Sequence, residues 1–203
     1  MPIVKEKILE KASEMFLNLG FKSVTMDDLA NEMGISKKTI YLHFVNKTKL
    51  VKATTNYVFH AICDGIDRIR LENKNPIEEI LTINEFVKQI LKSEKTSPQF
   101  QLQKYYPKIY KKLKENQFTM MNACVIQNLN KGIEMGLYRE DLNKEFISRL
   151  YFLGHVGIKD QNIFPDKQFN SEVLLNSYLD YHLRGISTDK GKKQLINFLK
   201  KDN

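Results

Sequence analysis

Apolar residues recur at helical spacing along most of this chain. Ile8, Leu9, Ala12, Met15, Phe16 and Leu19 fall three and four apart between lysines and glutamates, and Gly20 follows. The pattern predicts a helix that stops at that glycine. From Lys47 the set Leu50, Val51, Val58, Phe59, Ile62, Ile66 and Ile69 runs to the break Asn73-Lys74-Asn75-Pro76, which predicts one long helix. Pro76 opens the next, carrying Ile77, Ile80, Leu81, Phe86, Val87, Ile90 and Leu91 and ending before the polar stretch from Ser93 to Pro98. A short segment from Gln99 to Tyr106 precedes a long helix from about Pro107 to Met135, with Pro at its start and Gly136 after its end. Two apolar helices are predicted over Phe146 to Ile158 and Phe169 to Leu183, separated by the breaker cluster Asp160 to Asp166. A last helix, capped by Ser187 or Thr188, holds Leu195, Ile196, Phe198 and Leu199. No alternating strand pattern, internal repeat or low-complexity block interrupts this series. The predicted fold class is all-α.

The stretch from Thr25 to Leu50 carries the densest local signals. Thr25 precedes Met26-Asp27-Asp28, so its hydroxyl can accept an orphan backbone N–H while both acids sit at the positive end of a helix. Leu29, Ala30 and Met33 share that helix's inner face, and Gly34 ends it with a sharp turn. Ser36 caps the following helix, in which Ile40 and Phe44 lie one turn apart and face the same core as Leu29 and Ile35. At about 100° per residue, Lys38 and Leu42 then project away from the core, with Lys37 and Tyr41 on one flank and Thr39 and His43 on the other. Asn46 begins the next helix with Lys47, Lys49 and Lys52. From Ser36 to Lys52 there are lysines and no acid, a segment that attracts a phosphate backbone.

Composition narrows the choice of partners. In 203 residues, 42% are hydrophobic, enough for a packed core. The formal net charge of +8 favours an anionic partner without choosing among DNA, RNA and a membrane surface. Cys63 and Cys124 are too few and too far apart for a disulfide framework or a four-ligand zinc site. The opening residues interleave Glu6, Glu10 and Glu14 with apolar ones, unlike a signal peptide, and no segment has the roughly 20 apolar residues of a membrane span. A cytoplasmic protein without metal or cofactor is expected.

The chain resembles the TetR family of bacterial transcription regulators. The likeness runs from about Ile8 to about Leu50. It rests on Gly20-Phe21, Thr25, Gly34-Ile35-Ser36, and Thr39-Ile40-Tyr41-Leu42-His43-Phe44 followed by Asn46-Lys47. Leu42, apolar on the DNA-facing side, and the variable pair Lys37 and Lys38 leave the operator sequence open. The resemblance implies a three-helix helix-turn-helix head over residues 1–48 and a helical effector-binding and dimerisation body over 49–203. It implies that Thr25 and Ser36 serve at helix N-termini and belong to the DNA-binding set, with Thr25 reaching a phosphate. Lys37, Lys38, Thr39 and Leu42 would face base edges in the major groove, and Tyr41, His43 and Lys47 would hold phosphates.

The same resemblance implies a homodimer on a pseudo-palindromic operator of double-stranded DNA, most simply a repressor released by an unidentified small-molecule effector. Its two penultimate long helices supply the dimer contact, here from Phe146, Ile147, Leu150, Phe152, Leu153, Gly154, Gly157, Leu174, Leu175, Tyr178, Leu179 and His182. Candidate effector contacts are the polar or soft residues within apolar helices: Phe86, Tyr105, Tyr106, Phe118, Met121, Cys124, Gln127, Tyr151 and His155. Each has core packing as its plainer role. An enzyme is not expected, because His60, His155 and His182 stand singly with no HExxH, GxSxG or P-loop pattern around them. The alternative is a basic helical module for a membrane surface or a protein partner, which would not need Ser36 to Lys47 in this arrangement.

Overall fold

The computed structural model describes residues 2–91, 98–165 and 167–201. Among them run ten helices: α1 (Pro2–Leu19), α2 (Met26–Met33), α3 (Lys37–His43), α4 (Lys47–Leu71), α5 (Pro76–Leu91), α6 (Pro98–Tyr105), α7 (Pro107–Glu134), α8 (Lys144–Gly157), α9 (Ser171–Ile186) and α10 (Asp189–Lys201). The all-α expectation holds, the described residues adding only an isolated bridge between Tyr138 and Ser187. The polar stretch beginning at Ser93 and the breaker residue Asp166 lie outside the described residues. Packing divides the chain into two compact units: Met1–Arg68 with Asn84–Asn116, and Ile69–Ile83 with Gln117–Asn203. The division expected after residue 48 falls inside α4, which continues through it as a single helix.

The first unit is built on a core of Ile8, Ala12, Phe16, Phe21, Val24, Leu29, Ile40, Phe44, Leu50 and Val51, joined by Leu102 of α6. Fully burying each of the larger side chains is worth about 1.5–3 kcal/mol. The α1 helix stops at Gly20, whose φ of 87° lies in the left-handed region that favours glycine. Phe21 then turns back to stack on Phe16, ring centroids 5.0 Å apart. Tyr106, Ile109, Tyr110 and Leu113 lie half-buried against this same core.

The second unit packs around Ile77, Val125, Leu129, Leu137, Tyr138, Tyr151, Leu179, Leu183 and Leu195. Its polar centre is Asn128, fully buried and fully used. Asn128 donates to Pro76 O and to Glu79 Oε1, both at 2.9 Å, and accepts from the Tyr138 hydroxyl at 3.1 Å. Buried amides left unpaired are costly, so this network fixes α5 against α7. Helix starts follow side-chain caps. Asn143 accepts from Phe146 N and Asn170 from Glu172 N and Val173 N, so α8 and α9 begin at Lys144 and Ser171 rather than at Phe146 and Phe169. Of the two expected caps of α10, Thr188 takes the role by accepting from Gly191 N at 3.2 Å.

Candidate nucleic-acid interface

The α2–turn–α3 unit is set by two caps and one glycine. Thr25 Oγ1 accepts from Asp28 N at 3.1 Å, and Asp28 Oδ2 accepts from Thr25 N at 2.8 Å, completing a reciprocal capping box. Bonds from Thr25 hold the Asp28 carboxyl below its usual range. The Thr25 hydroxyl also donates to Asp28 Oδ2 at 2.8 Å. Gly34 sits at φ 63°, and Ile35 N reaches back to Ala30 O at 3.0 Å. Ser36 then caps α3 by accepting from Thr39 N at 3.1 Å, and the two hydroxyls lie 2.8 Å apart.

Because Ile40 and Phe44 are buried, the opposite side of α3 is turned outward. Lys37, Lys38 and Tyr41 are exposed, Thr39 and His43 half-buried, and Leu42 is 74% exposed. Val45 beside it is 77% exposed and was not foreseen. Leu42 and Val45 form an apolar spot that suits a thymine methyl or a sugar edge. Lys37 Nζ pairs with Asp27 Oδ2 at 2.8 Å, a bond that raises the lysine's pKa. Lys47 is half-buried at the start of α4 and donates to Lys22 O at 3.1 Å. Desolvation lowers its pKa, partly offset by the Asp28 carboxylate. Asn46 accepts from Lys49 N at 2.9 Å and so starts α4.

Residues 8–54 match the family model described as bacterial regulatory proteins, tetR family. The chain is also 28% identical to the HTH-type transcriptional regulator YvaF of Bacillus subtilis (strain 168), over 91% of this chain and 96% of that protein. The family match is thus to the N-terminal part of the chain, and the relative that covers nearly all of it is a transcriptional regulator. The matched residues run from within α1 through α2 and α3 into the first turns of α4. The TetR-family regulator of known structure from Agrobacterium tumefaciens has the same fold, with a TM-score of 0.73 at 15% identity over 93% of this chain and 100% of that one. The negative regulator of the biofilm operon icaADBC, IcaR of Staphylococcus epidermidis, is 27% identical over 70 residues, 38% of its own length.

The nine candidate effector contacts are distributed over both compact units. Phe86, Tyr105 and Tyr106 belong to the first. There Phe86 lies over Gly65, where a Cβ would overlap its ring, and Tyr106 packs on the head core with its ring 6.3 Å from Phe21. Tyr105 is at the surface under the ammonium groups of Lys22 and Lys104. The other six belong to the second unit. Phe118 meets the edge of Phe152 at 5.2 Å, Met121 packs on the core, and Cys124 contacts Met120. Gln127 is exposed and accepts a bond from Arg70.

Tyr151 and His155 form part of a four-ring cluster with Tyr178 and His182, which sequence spacing did not bring together. The Tyr151 ring is 4.5 Å from His155 and 5.0 Å from His182. Tyr178 is 5.5 Å and 5.8 Å from the same two imidazoles. Its hydroxyl donates toward Leu150 O and Tyr151 O, over Gly154, where a Cβ would overlap the phenol. Among the described residues no three His, Cys, Asp or Glu side chains gather as a metal site, and no helix is long and apolar enough to cross a membrane.

Proposed function

We propose that this TetR-family regulator is a homodimeric repressor whose two heads occupy adjacent major-groove half-sites of a pseudo-palindromic operator. The observation that carries the reading is the outward face of α3. Lys37, Lys38, Tyr41 and Leu42 stand together on a helix fixed by Ser36 and seated by Ile40, in a segment with no acid from Ser36 to Lys52. In this reading Lys37, Lys38, Thr39 and Leu42 meet base edges, while Thr25, Tyr41, His43 and Lys47 hold phosphates. The head is assigned to residues 1–48 and the body to 49–203. IcaR's description as a negative regulator supports repression as the direction.

Dimerisation is supported by an apolar row left exposed on the surface of the described residues. On α8, Phe146, Leu150 and Leu153 repeat at i, i+4 and i+7 and are 60%, 40% and 62% exposed. Gly157 continues the row with open space where a Cβ would stand. On α9, Val173 and Tyr181 are 60% and 78% exposed. A twofold copy would bury these residues. By contrast Phe152, Leu179 and His182, expected at the dimer contact, are buried within the protomer, and Ile147, Leu175 and Tyr178 pack on its core.

A small-molecule effector bound in the body would release the operator by favouring a head spacing that no longer matches the half-sites. It can do so only through its differential affinity for the two states. The repressor works in the cytoplasm on chromosomal DNA and performs no covalent chemistry. Fluorescence anisotropy against a labelled duplex and against anionic vesicles tests the reading. Duplex affinity should fall steeply as salt rises, because each phosphate neutralised by the lysines around α3 and the start of α4 releases counterions. Vesicle binding without duplex binding would establish instead the membrane-surface alternative.

A further inference from the structure

We propose that Gln101 of α6 is a positioning residue for DNA binding, holding the Lys47 ammonium in place through the backbone around Lys22. The inference rests on the reading of Lys47 as a phosphate contact. Between Gly20 and Thr25 the turn has one internal backbone bond, from Val24 N to Gly20 O at 3.4 Å. The two peptide units that meet at the Lys22 Cα are instead each held by a side chain distant in sequence. The Lys22 N–H donates to Gln101 Oε1 at 3.2 Å, and the Lys22 carbonyl accepts from Lys47 Nζ at 3.1 Å.

Gln101 is itself fixed by what surrounds it. The adjacent Leu102 is 3% exposed and belongs to the head core, and Pro98 at the start of α6 is buried. Four residues beyond Leu102, Tyr106 meets the edge of Phe21. The carboxamide lies so close to the turn that a Cβ at Gly20 would overlap it. Gly20 therefore serves two ends: its φ of 87° turns the chain, and its missing side chain admits Gln101. Lys47 has a long, flexible stem, and a phosphate contact needs its ammonium aimed at one place. The Lys22 carbonyl aims it, and Gln101 anchors the preceding peptide unit, Phe21–Lys22, which limits how far the backbone carrying that carbonyl can shift. A lysine sharing its donors in this way can bond the peptide and a phosphate at once, having three N–H groups.

The test is a double-mutant cycle in the full-length chain, read as affinity for the duplex that the wild type itself selects. Gln101→Met keeps the length and removes the acceptor. In the wild-type background it should weaken binding about threefold to tenfold, the range expected for one hydrogen bond. In a Lys47→Met background the same change should cost less than about twofold, because the group it positions is gone. Amide exchange at Lys22 should quicken in Gln101→Met while thermal unfolding stays close to wild type. Equal losses in both backgrounds would mean a general structural role, and no loss in the first would mean no role; either overturns the proposal. A wild type that binds no duplex would instead remove the DNA reading beneath it.

Discussion

Lowering the pH should loosen the body through two histidines before it titrates the carboxylates. His182 is buried, and His155, half-buried as a residue, has its Nε2 fully enclosed. Among the described residues neither Nε2 has a hydrogen-bond partner. Desolvation is the main cause that pushes His155 down to about 3, helped by the positive charge of Lys159, and His182 down to about 4. Both imidazoles are therefore neutral in the folded state across ordinary pH. The unfolded chain, with histidines near 6.5, binds protons that the folded chain refuses. Stability is thus fully present above about pH 7 and is lost as pH falls from about 6.5 toward the folded values.

At pH 5 each histidine favours the unfolded chain by about 2 kcal/mol, or about 4 kcal/mol together, a large part of the roughly 5–15 kcal/mol that holds a typical domain. The assay is chemical denaturation at pH 7.5 and pH 5.0, at one protein concentration because a dimer's stability depends on it. The wild type should lose about 4 kcal/mol between the two conditions, and His155→Phe or His182→Phe only about 2 kcal/mol. His43, His60 and the carboxylates are common to all three chains and cancel in the comparison. Parallel pH profiles in wild type and both variants would refute the reasoning.

Other consequences are as specific. Thr25→Ala removes the capping hydroxyl of α2 and should destabilise the head by about 1 kcal/mol in thermal unfolding, while Thr25→Ser should recover most of it. Leu29→Ala, at a fully buried site of the head core, should cost about 2–5 kcal/mol and abolish duplex binding at temperatures where the wild type still binds. Tyr41→Ala should weaken binding to every duplex alike, whereas Lys38→Ala should also shift base preference in a competition among half-site variants; wild-type binding by both would sink the assignment. Leu153→Glu, placing a charge in the exposed α8 row, should convert dimer to monomer in sedimentation and leave helix content unchanged.

The head was legible because its signals are local. Thr25, Gly34 and Ser36 each act on a backbone group within a few residues, so spacing alone located α2, the turn and α3. What spacing could not reach is contact between residues far apart. The Lys37–Asp27 pair, the bond from Lys47 to Lys22 and the seating of Tyr106 on Phe21 depend on how helices meet. In α9 both sides carry apolar residues, so periodicity did not decide which faced outward. Tyr181 faces solvent, and His182, turned about 100° away, faces the core. The asparagine caps at 143 and 170 do not show in the apolar pattern, which starts two residues after the beginning of α8 and two residues before that of α9. Exposure of Val45 follows from α3 ending at His43 with Phe44 buried as its cap.

The central claim, a dimer whose paired α3 helices read two half-sites, is tested most directly by selecting bound duplexes from a random pool with the full-length protein. The account predicts an enriched inverted repeat whose half-site centres lie about one helical turn, or a whole number of turns, apart. A pool that stays random after repeated rounds, or an enriched single half-site bound by one chain, would contradict it.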